Sequence, residues 1–268
     1  MTGFFTGRKP RVFGHRGAAG LAPENTIPSF ALGLSLGADV LELDVHASRD
    51  GVIVVTHDPT LERTTNGEGS VRDHSWIDLE KLDAGYRFTR DGRDFPFRGQ
   101  GIRLATLESV FRLFPLAACN IEIKQESPPI VEEVVRLVER LDAQHRVLLA
   151  AEHDSIMQRI RRHCGEIVTS FAAGEVADFI GRAGNSAFAG YNPPGRALQI
   201  PASYGDIRLV TDDTVAAAHE LGLEMHVWTV NQRDEMDALL ALGVDGIISD
   251  LPGLARVAID HSVARRAT

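Results

Sequence analysis

Short runs of apolar, mostly β-branched residues alternate along the chain with amphipathic segments of about ten to fifteen residues,. This rhythm is typical of repeated β-strand and α-helix units, in which helices join parallel strands. The pattern predicts eight strands, at residues 11–15, 40–47, 119–124, 147–151, 167–172, 197–200, 224–230 and 246–249. It predicts helices at residues 26–36, 107–114, 129–141, 155–164, 175–183, 214–221, 233–242 and 254–259.

Polar capping residues and glycines mark the ends of several predicted helices. The expected N-caps are Asn25, Thr106, Ser127, Asp154 and Asp213, and the expected closing glycines are Gly37, Gly165, Gly222 and Gly243. Eight strand and helix pairs predict an α/β fold, a (β/α)8 TIM barrel, with a doubly wound open sheet as the alternative. A chain of 268 residues fits one such domain, spanning residues 1–268,.

One stretch, at about residues 57–105, interrupts the rhythm,. It is rich in Gly, Asp and Arg, and its longest periodic run is SWIDLEKLDAG. A long irregular connection in a compact fold usually carries function. We therefore expect a small insertion after the second strand that caps one end of the barrel, with a mobile surface loop as the alternative.

The stretch LELDVHASRDGVIVVTHD, residues 41–58, predicts two strands that turn at an Asp-Gly dipeptide,. Because side chains alternate along a strand, Glu42 and Asp44 share one face and the apolar residues between them share the other. Glu122 and Lys124 repeat this arrangement on the next predicted barrel strand. Two strands with this pattern are expected to converge.

Polar residues at the carboxyl ends of barrel strands are expected to share one site, because those ends form a single concave face. Glu42, Asp44 and Glu122 would point into one space, where like charges raise carboxyl pKa values unless a cation neutralises them. Oxygen ligands suit Mg²⁺ or Ca²⁺. A helix cap or an ion pair with arginine is the alternative for one acidic pair. His226 and Trp228, on a later strand, are expected at the same face.

Two histidines also stand where predicted strands meet this face. His15 and His57 form a pair of imidazoles that can serve as general base and general acid in one displacement,. Arg16 and Lys124 add fixed positive charge suited to a phosphate. This combination favours phosphoryl transfer over acyl or glycosyl transfer.

Charge and composition narrow the classes of function. The formal net charge of −9 argues against nucleic-acid binding and against electrostatic adhesion to anionic membranes,. The sequence has no secretory signal and no apolar run of the roughly 18 residues that a membrane span needs, so we expect a cytoplasmic protein without stable membrane insertion. Cys119 and Cys164 lie in apolar elements and are expected to be reduced core residues,.

The motifs together resemble the glycerophosphodiester phosphodiesterase family. The resemblance begins with VFGHRGAAGLAPENTIPSFALGLSLGADVLELDVHASRDGVIVVTHDPTLERTTNGEG and continues through IEIK, HVWTVN and GVDGIISDLPG. It covers nearly the whole chain. It implies a TIM barrel, a divalent-metal site, and hydrolysis of glycerophosphodiesters to glycerol 3-phosphate and an alcohol.

The resemblance also assigns expected roles to individual positions. The metal ligands are Glu42, Asp44 and Glu122, the acid and base pair is His15 and His57, and the phosphate-binding cations are Arg16 and Lys124. Trp228 matches an aromatic residue that packs against the glycerol side of the substrate, with a packing residue at the barrel rim as the alternative. Asn25 is expected to be only a helix cap.

Three alternatives share parts of this evidence. A lysophospholipase D on the same barrel would add an apolar ramp for acyl chains. A glycoside hydrolase would use two carboxylates, without two histidines and a metal. A catalytically silent barrel would bind phosphodiesters without turnover. The sequence leaves open whether the chain forms a homo-oligomer and which alcohol is released.

Overall fold

The computed structural model describes residues 3–185 and 187–266. Its strands are β1 (Arg11–Gly14), β2 (Val40–Ala47), β3 (Ile53–Val55), β4 (Ala105–Thr106), β5 (Ala118–Ile123), β6 (Val147–Ala150), β7 (Val168–Thr169), β8 (Ala197–Pro201), β9 (Ser203–Tyr204), β10 (Ile207–Arg208), β11 (Glu224–Trp228) and β12 (Gly246–Ser249). Its α-helices are α1 (Ile27–Ser35), α2 (Trp76–Leu79), α3 (Leu107–Leu113), α4 (Val131–Arg140), α5 (Asp154–His163), α6 (Ala173–Ala183), α7 (Asp212–Glu220), α8 (Arg233–Leu242) and α9 (Pro252–Arg266).

Eight parallel strands form a barrel in the order β7-β6-β5-β2-β1-β12-β11-β8. The two ends of this order meet at a parallel bridge between Ser170 and Ala197. Beside it, the N–H of Phe171 donates to the carbonyl of Ala197 at 3.1 Å, and the N–H of Arg196 donates to the carbonyl of Thr169 at 2.9 Å. The predicted TIM barrel is confirmed, and the open doubly wound sheet is wrong because these bonds close the sheet on itself.

Apolar side chains pack in two layers around the barrel wall. Leu41 and Leu43 on β2 and Ile121 on β5 pack outward in a cluster that includes Val134 of α4. Val40, one residue before Leu41, belongs instead to a separate cluster with Phe13. Strand alternation therefore directs the odd-numbered β2 residues to the helices and the even-numbered ones into the barrel.

The closing glycines are confirmed, since all four adopt the positive φ of a helix C-terminal turn, at Gly37 (95°), Gly165 (55°), Gly222 (68°) and Gly243 (93°),.

The N-cap predictions succeeded only in part. Thr106 caps α3 as expected. Thr26, not Asn25, caps α1, because Asn25 has a φ of 57° that an N-cap does not adopt,. The caps of α4, α5 and α7 are likewise Ile130, His153 and Thr211 rather than Ser127, Asp154 and Asp213. Where several polar residues precede a helix, composition alone does not identify the cap.

The insertion follows β2, as predicted, and packs around an apolar cluster of its own. β3 runs antiparallel to both β2 and β4, which anchors the insertion to the barrel at its two ends. Leu61, Val71, Leu79 and Ile102 lie in the insertion's cluster. The short β9–β10 hairpin after β8 was not predicted.

Both cysteines are free and buried, as expected. Within residues 3–185 and 187–266, none of the helices combines the length and apolar character needed to cross a membrane.

Candidate active site

Two acidic side chains of β2 point into the barrel near its mouth. Because Val40 lies in the interior cluster and side chains alternate, Glu42 and Asp44 follow it on the same face,. Only 4% of Glu42 and 1% of Asp44 are exposed. The backbone N–H of Arg16, just after β1, donates to Glu42 Oε2 at 2.8 Å, which fixes that carboxylate against the first loop.

A third carboxylate joins them from the neighbouring strand. Parallel pairing sets Asp44 of β2 opposite Glu122 of β5. Oxygen atoms of Glu42, Asp44 and Glu122 lie within 4.8 Å of one another. The predicted convergence is confirmed, and this acidic cluster could hold a divalent metal ion.

Two protein cations lie against the cluster. Lys124 Nζ is 2.7 Å from Glu122 Oε1 and 3.4 Å from Asp44 Oδ1, and Arg16 Nε is 3.3 Å from Asp44 Oδ2. Burial alone would raise the pKa of Asp44, but the charges of Lys124 and Arg16 outweigh it and hold that pKa below its ordinary value. The expected rise in carboxyl pKa is therefore not met at Asp44, because protein cations already neutralise it.

At Glu42 and Glu122, positive charge from the protein does not offset the effect of burial. Burial, together with the charge of Asp44, raises the pKa of Glu42 to about 7. Burial also raises the pKa of Glu122, although Lys124 opposes the rise. A divalent cation between these oxygens would stabilise the ionised carboxylates, and an all-oxygen donor set fits Mg²⁺ or Ca²⁺.

His15 lies beside this cluster and is held by a carboxylate from the other end of the sequence. Its Nδ1 is 2.6 Å from Asp250 Oδ1, and its Nε2 is 4.0 Å from Glu42 Oε2. Asn231 Nδ2 donates to the second oxygen of Asp250 at 2.6 Å. Burial would lower the pKa of His15, but the Asp250 hydrogen bond and the charge of Glu42 raise it overall. An imidazole held through Nδ1 keeps Nε2 for proton transfer.

His57 has a parallel arrangement on the insertion side. Its Nδ1 is 2.6 Å from Oδ1 of Asp58, the next residue in the chain. The N–H of Thr56, the residue before His57, donates to the carbonyl of Asp44 at 2.9 Å, which places His57 beside the acidic cluster. Both imidazoles thus lie near the three carboxylates, and each is oriented by an acidic partner.

The two residues expected at the end of β11 have different positions. Trp228 lies at the carboxyl end of β11 with 44% of its surface exposed. His226 is wholly buried and bonds Glu224 Oε2 at 3.0 Å, near the start of the strand. The expectation for His226 was wrong, because an interior position two residues before the strand end lies deeper in the barrel than its mouth.

Sequence reasoning missed six residues that hold the site residues in place. They are Glu24, Asn25, Asp58, Arg63, Asn231 and Asp250. Asn25, for example, donates through Nδ2 to Asp44 Oδ2 at 3.0 Å. A weak signal existed for Asp58 and Asp250, since the first directly follows His57 and the second directly follows a barrel strand.

Comparisons with known proteins show the family of this chain and agree with its fold. The Glycerophosphoryl diester phosphodiesterase family matches residues 15–254. A glycerophosphodiester phosphodiesterase of Caldanaerobacter subterraneus is 32% identical over 253 residues, covering 91% of this chain and 95% of that protein. A lysophospholipase D of Mus musculus is 27% identical, covering 90% of this chain and 82% of that protein.

A solved structure shows the same architecture. The phosphodiesterase of Oleispira antarctica, in complex with the product sn-glycerol-3-phosphate, has a TM-score of 0.74 and 25% identity, and the match covers 94% of this chain and 97% of that one. Fold, ordered motifs and matches along most of the sequence therefore agree, and the chain belongs to the glycerophosphoryl diester phosphodiesterase family.

Proposed function

We propose that this protein hydrolyses glycerophosphodiesters to glycerol 3-phosphate and an alcohol. The main support is the cluster of Glu42, Asp44 and Glu122, which has protein cations in contact with it. Two imidazoles lie near this cluster, and each is hydrogen-bonded to a carboxylate. The family supports the substrate class, since the related Oleispira antarctica structure contains sn-glycerol-3-phosphate.

In the proposed reaction, an oxygen nucleophile attacks phosphorus and the bond from phosphorus to the leaving alcohol oxygen breaks. The nucleophile is water, which gives glycerol 3-phosphate directly, or the neighbouring glycerol hydroxyl, which gives a cyclic phosphate that water then opens to glycerol 3-phosphate. One of His15 and His57 takes the nucleophile's proton, and the other gives a proton to the leaving oxygen. Arg16 and Lys124 bind the phosphate. A divalent cation, Mg²⁺ or Ca²⁺, bound by the three carboxylates would stabilise negative charge on the phosphate oxygens.

Trp228 is proposed to pack its exposed ring against the glycerol side of the substrate. Its position at the carboxyl end of a barrel strand supports this role, because substrates of such barrels bind at that face,.

The test is release of glycerol 3-phosphate from a panel of glycerophosphodiesters, with and without a metal chelator. We expect chelation to abolish release, and His15→Ala, His57→Ala and Glu42→Ala each to lower kcat/KM by at least about 1,000-fold, or about 4 kcal/mol of transition-state stabilisation. His145→Ala is the control, because His145 is exposed and precedes β6 at the opposite end of the barrel.

Different outcomes separate the parts of the proposal. Ordinary activity in either site-histidine variant would remove that histidine from the mechanism. Full activity in the presence of the chelator would remove the metal. Substrate binding without turnover at saturating Mg²⁺ or Ca²⁺ would favour a silent binding protein.

A lysophospholipase D activity is the second candidate. The mouth of the barrel exposes apolar side chains, with Tyr204 and Ile207 on the β9–β10 hairpin 75% and 61% exposed and Trp228 on the adjacent strand 44% exposed. Such a surface suits an acyl chain, and the Mus musculus relative is named a lysophospholipase D. Parallel assays of glycerophosphocholine and lysophosphatidylcholine separate the two candidates, since the substrate with the higher kcat/KM shows which reaction the site favours.

The cytoplasmic location and a homo-oligomeric state stay predictions. Cell fractionation tests the first, and sedimentation equilibrium tests the second.

A further inference from the structure

Arg63 lies in the Leu-x-Arg-Thr-Thr stretch of the insertion, to which the proposed reaction assigns no role. Its guanidinium bonds two different carboxylates. The two terminal nitrogens donate to the two oxygens of Glu24, each at 2.7 Å, and Nε donates to Asp58 Oδ2 at 2.5 Å. A planar guanidinium holds such partners at fixed relative angles, which an ammonium group does not.

One of these carboxylates orients a proposed catalytic imidazole. Asp58 uses Oδ1 for His57 Nδ1 and Oδ2 for Arg63 Nε. Burial alone would raise the pKa of Asp58, but the hydrogen bonds from Arg63 and His57 lower it to about 2. With both oxygens occupied, the Asp58 carboxylate has one favoured rotation, and His57 is oriented with it.

The other carboxylate orients a proposed phosphate-binding cation. Arg16 donates through one terminal nitrogen to Glu24 Oε1 at 2.8 Å. The Nε of Arg16 lies 3.3 Å from Asp44 Oδ2 but makes no hydrogen bond among the described residues, so the hydrogen bond to Glu24 and the ion pair with Asp44 together fix the direction of this guanidinium,. Arg63 in turn holds both oxygens of Glu24.

Arg63 therefore joins two parts of the site that come from different segments. Glu24 and Arg16 belong to the loop after β1, whereas His57 and Asp58 follow β3 and lie at the beginning of the insertion. Another arginine of the insertion, Arg72, makes a tether of a different kind, donating to the backbone carbonyl of Ser127 at 2.8 Å.

We propose that Arg63 is a positioning residue for the phosphodiesterase reaction, whose one guanidinium sets the orientation of His57 through Asp58 and of Arg16 through Glu24. This inference rests on the proposed function. Arg63 links acid–base chemistry to phosphate binding, in addition to its part in attaching the insertion.

The kinetic test compares Arg63→Gln with Arg72→Gln. Arg63→Gln is expected to lower kcat/KM by about 10- to 100-fold, with a lower kcat and a higher KM. Arg63→Lys should recover little of this loss, because lysine lacks the forked geometry. Arg72→Gln removes a tether of the same insertion and should stay within about twofold of wild type. Equal losses in the Arg63 and Arg72 variants would overturn the proposal, because attachment of the insertion would then explain both.

Double-mutant cycles test the two branches separately. Asp58→Asn should act mainly on kcat and Glu24→Gln mainly on KM. Each combined with Arg63→Gln should lose less than the product of the single losses, because residues in one network are not additive. Simple multiplication of the losses in both cycles would contradict the inference.

A spectroscopic readout makes the test independent of turnover. In ¹⁵N spectra of the folded variants, Arg63→Gln should shift the Nδ1 resonance of His57 more than that of His15, because Asp58, which holds His57, bonds Arg63 directly, whereas Asp250 holds His15. An unchanged His57 resonance would overturn the role of Arg63, and so would wild-type kcat/KM in Arg63→Gln. Wild-type enzyme that releases no glycerol 3-phosphate would instead contradict the proposed function, while the resonance would still report on the network.

Discussion

At the scale of single residues, the site pairs each imidazole with a carboxylate. His15 and Asp250 are 235 positions apart, whereas His57 and Asp58 are neighbours. In both pairs the carboxylate bonds Nδ1, so the ring presents Nε2 to other partners. Asp250 also raises the pKa of His15 against the effect of burial. Asp250 thus orients the ring of His15 and stabilises its protonated form.

Replacing Asp250 tests this pairing. In Asp250→Asn, the burial of His15 is no longer opposed by this carboxylate, so the pKa of His15 should fall,. We expect kcat to decrease by at least about 10-fold, because the imidazole loses its orientation. An NMR titration of His15 and steady-state kinetics check the two effects. The titration of His57 serves as internal control, and an unchanged pKa of His15 would contradict the pairing.

At the scale of elements, helix α1 supports the loop that carries Arg16. Ser29 of α1 donates through its hydroxyl to the carbonyl of Arg16 at 2.9 Å and accepts from the N–H of Ala18 at 2.9 Å. Gly33, one turn later, packs so closely that a Cβ there would lie 2.6 Å from the carbonyl oxygen of Gly17. The helix and the catalytic loop therefore approach each other backbone to backbone.

Two glycine substitutions distinguish packing from helix propensity. Gly33→Ala should lower the free energy of unfolding by about 1 to 3 kcal/mol, because the added methyl overlaps a backbone carbonyl,. Gly181→Ala in α6 should raise it by up to about 1 kcal/mol, since a Cβ there meets nothing within 4 Å,. Urea unfolding of both variants measures these changes. A higher free energy of unfolding in Gly33→Ala would contradict this prediction, because it would show that the loop around Gly17 moves away from the added methyl at little cost.

At the scale of the whole molecule, the end of the barrel opposite the mouth has its own polar network. Glu224, at the start of β11, bonds the guanidinium of Arg11, lies 2.7 Å from Lys9 Nζ and bonds His226 at 3.0 Å. Burial would raise the pKa of Glu224, but His226, Lys9 and Arg11 lower it to about 2. The network joins β1 to β11, so it links strands on either side of β12.

This network predicts how stability depends on pH. Because the folded pKa of Glu224 is below its unfolded value of 4.5, its contribution is present above about pH 4.5 and is lost as pH falls towards 2,. Glu224→Gln should lower the free energy of unfolding by about 3 kcal/mol at pH 7, and the difference from wild type should shrink below pH 4.5,. Urea unfolding at pH 7, 4 and 3 measures the difference.

The control for that prediction is Glu139→Gln, which changes an exposed carboxylate and should alter stability by less than about 0.5 kcal/mol,. A pH-independent difference between wild type and Glu224→Gln would contradict the role assigned to the ionised carboxylate.

Much of the fold was predictable because the relevant signals are local. Apolar alternation located all eight barrel strands, and β2 has the predicted bounds of residues 40–47. Glycines with positive φ closed the helices where expected. Helix beginnings were predicted less well, since α1 is capped by Thr26 while Asn25 contacts Asp44. A cap and a site ligand are both polar residues before a helix, and local sequence does not distinguish them.

By itself, the sequence determined the strands, the insertion after β2 and the alternation that directs Glu42 and Asp44 to one face, because each follows from backbone geometry over a few residues. Only the tertiary structure decided that Asp44 lies opposite Glu122, that Asp250 holds His15 and that Arg63 joins Glu24 to Asp58. It also decided that Asp44 has a lowered pKa while Glu42 has a raised one. Such contacts and charges depend on strand order, register and loop packing, which bring together residues that no local pattern connects.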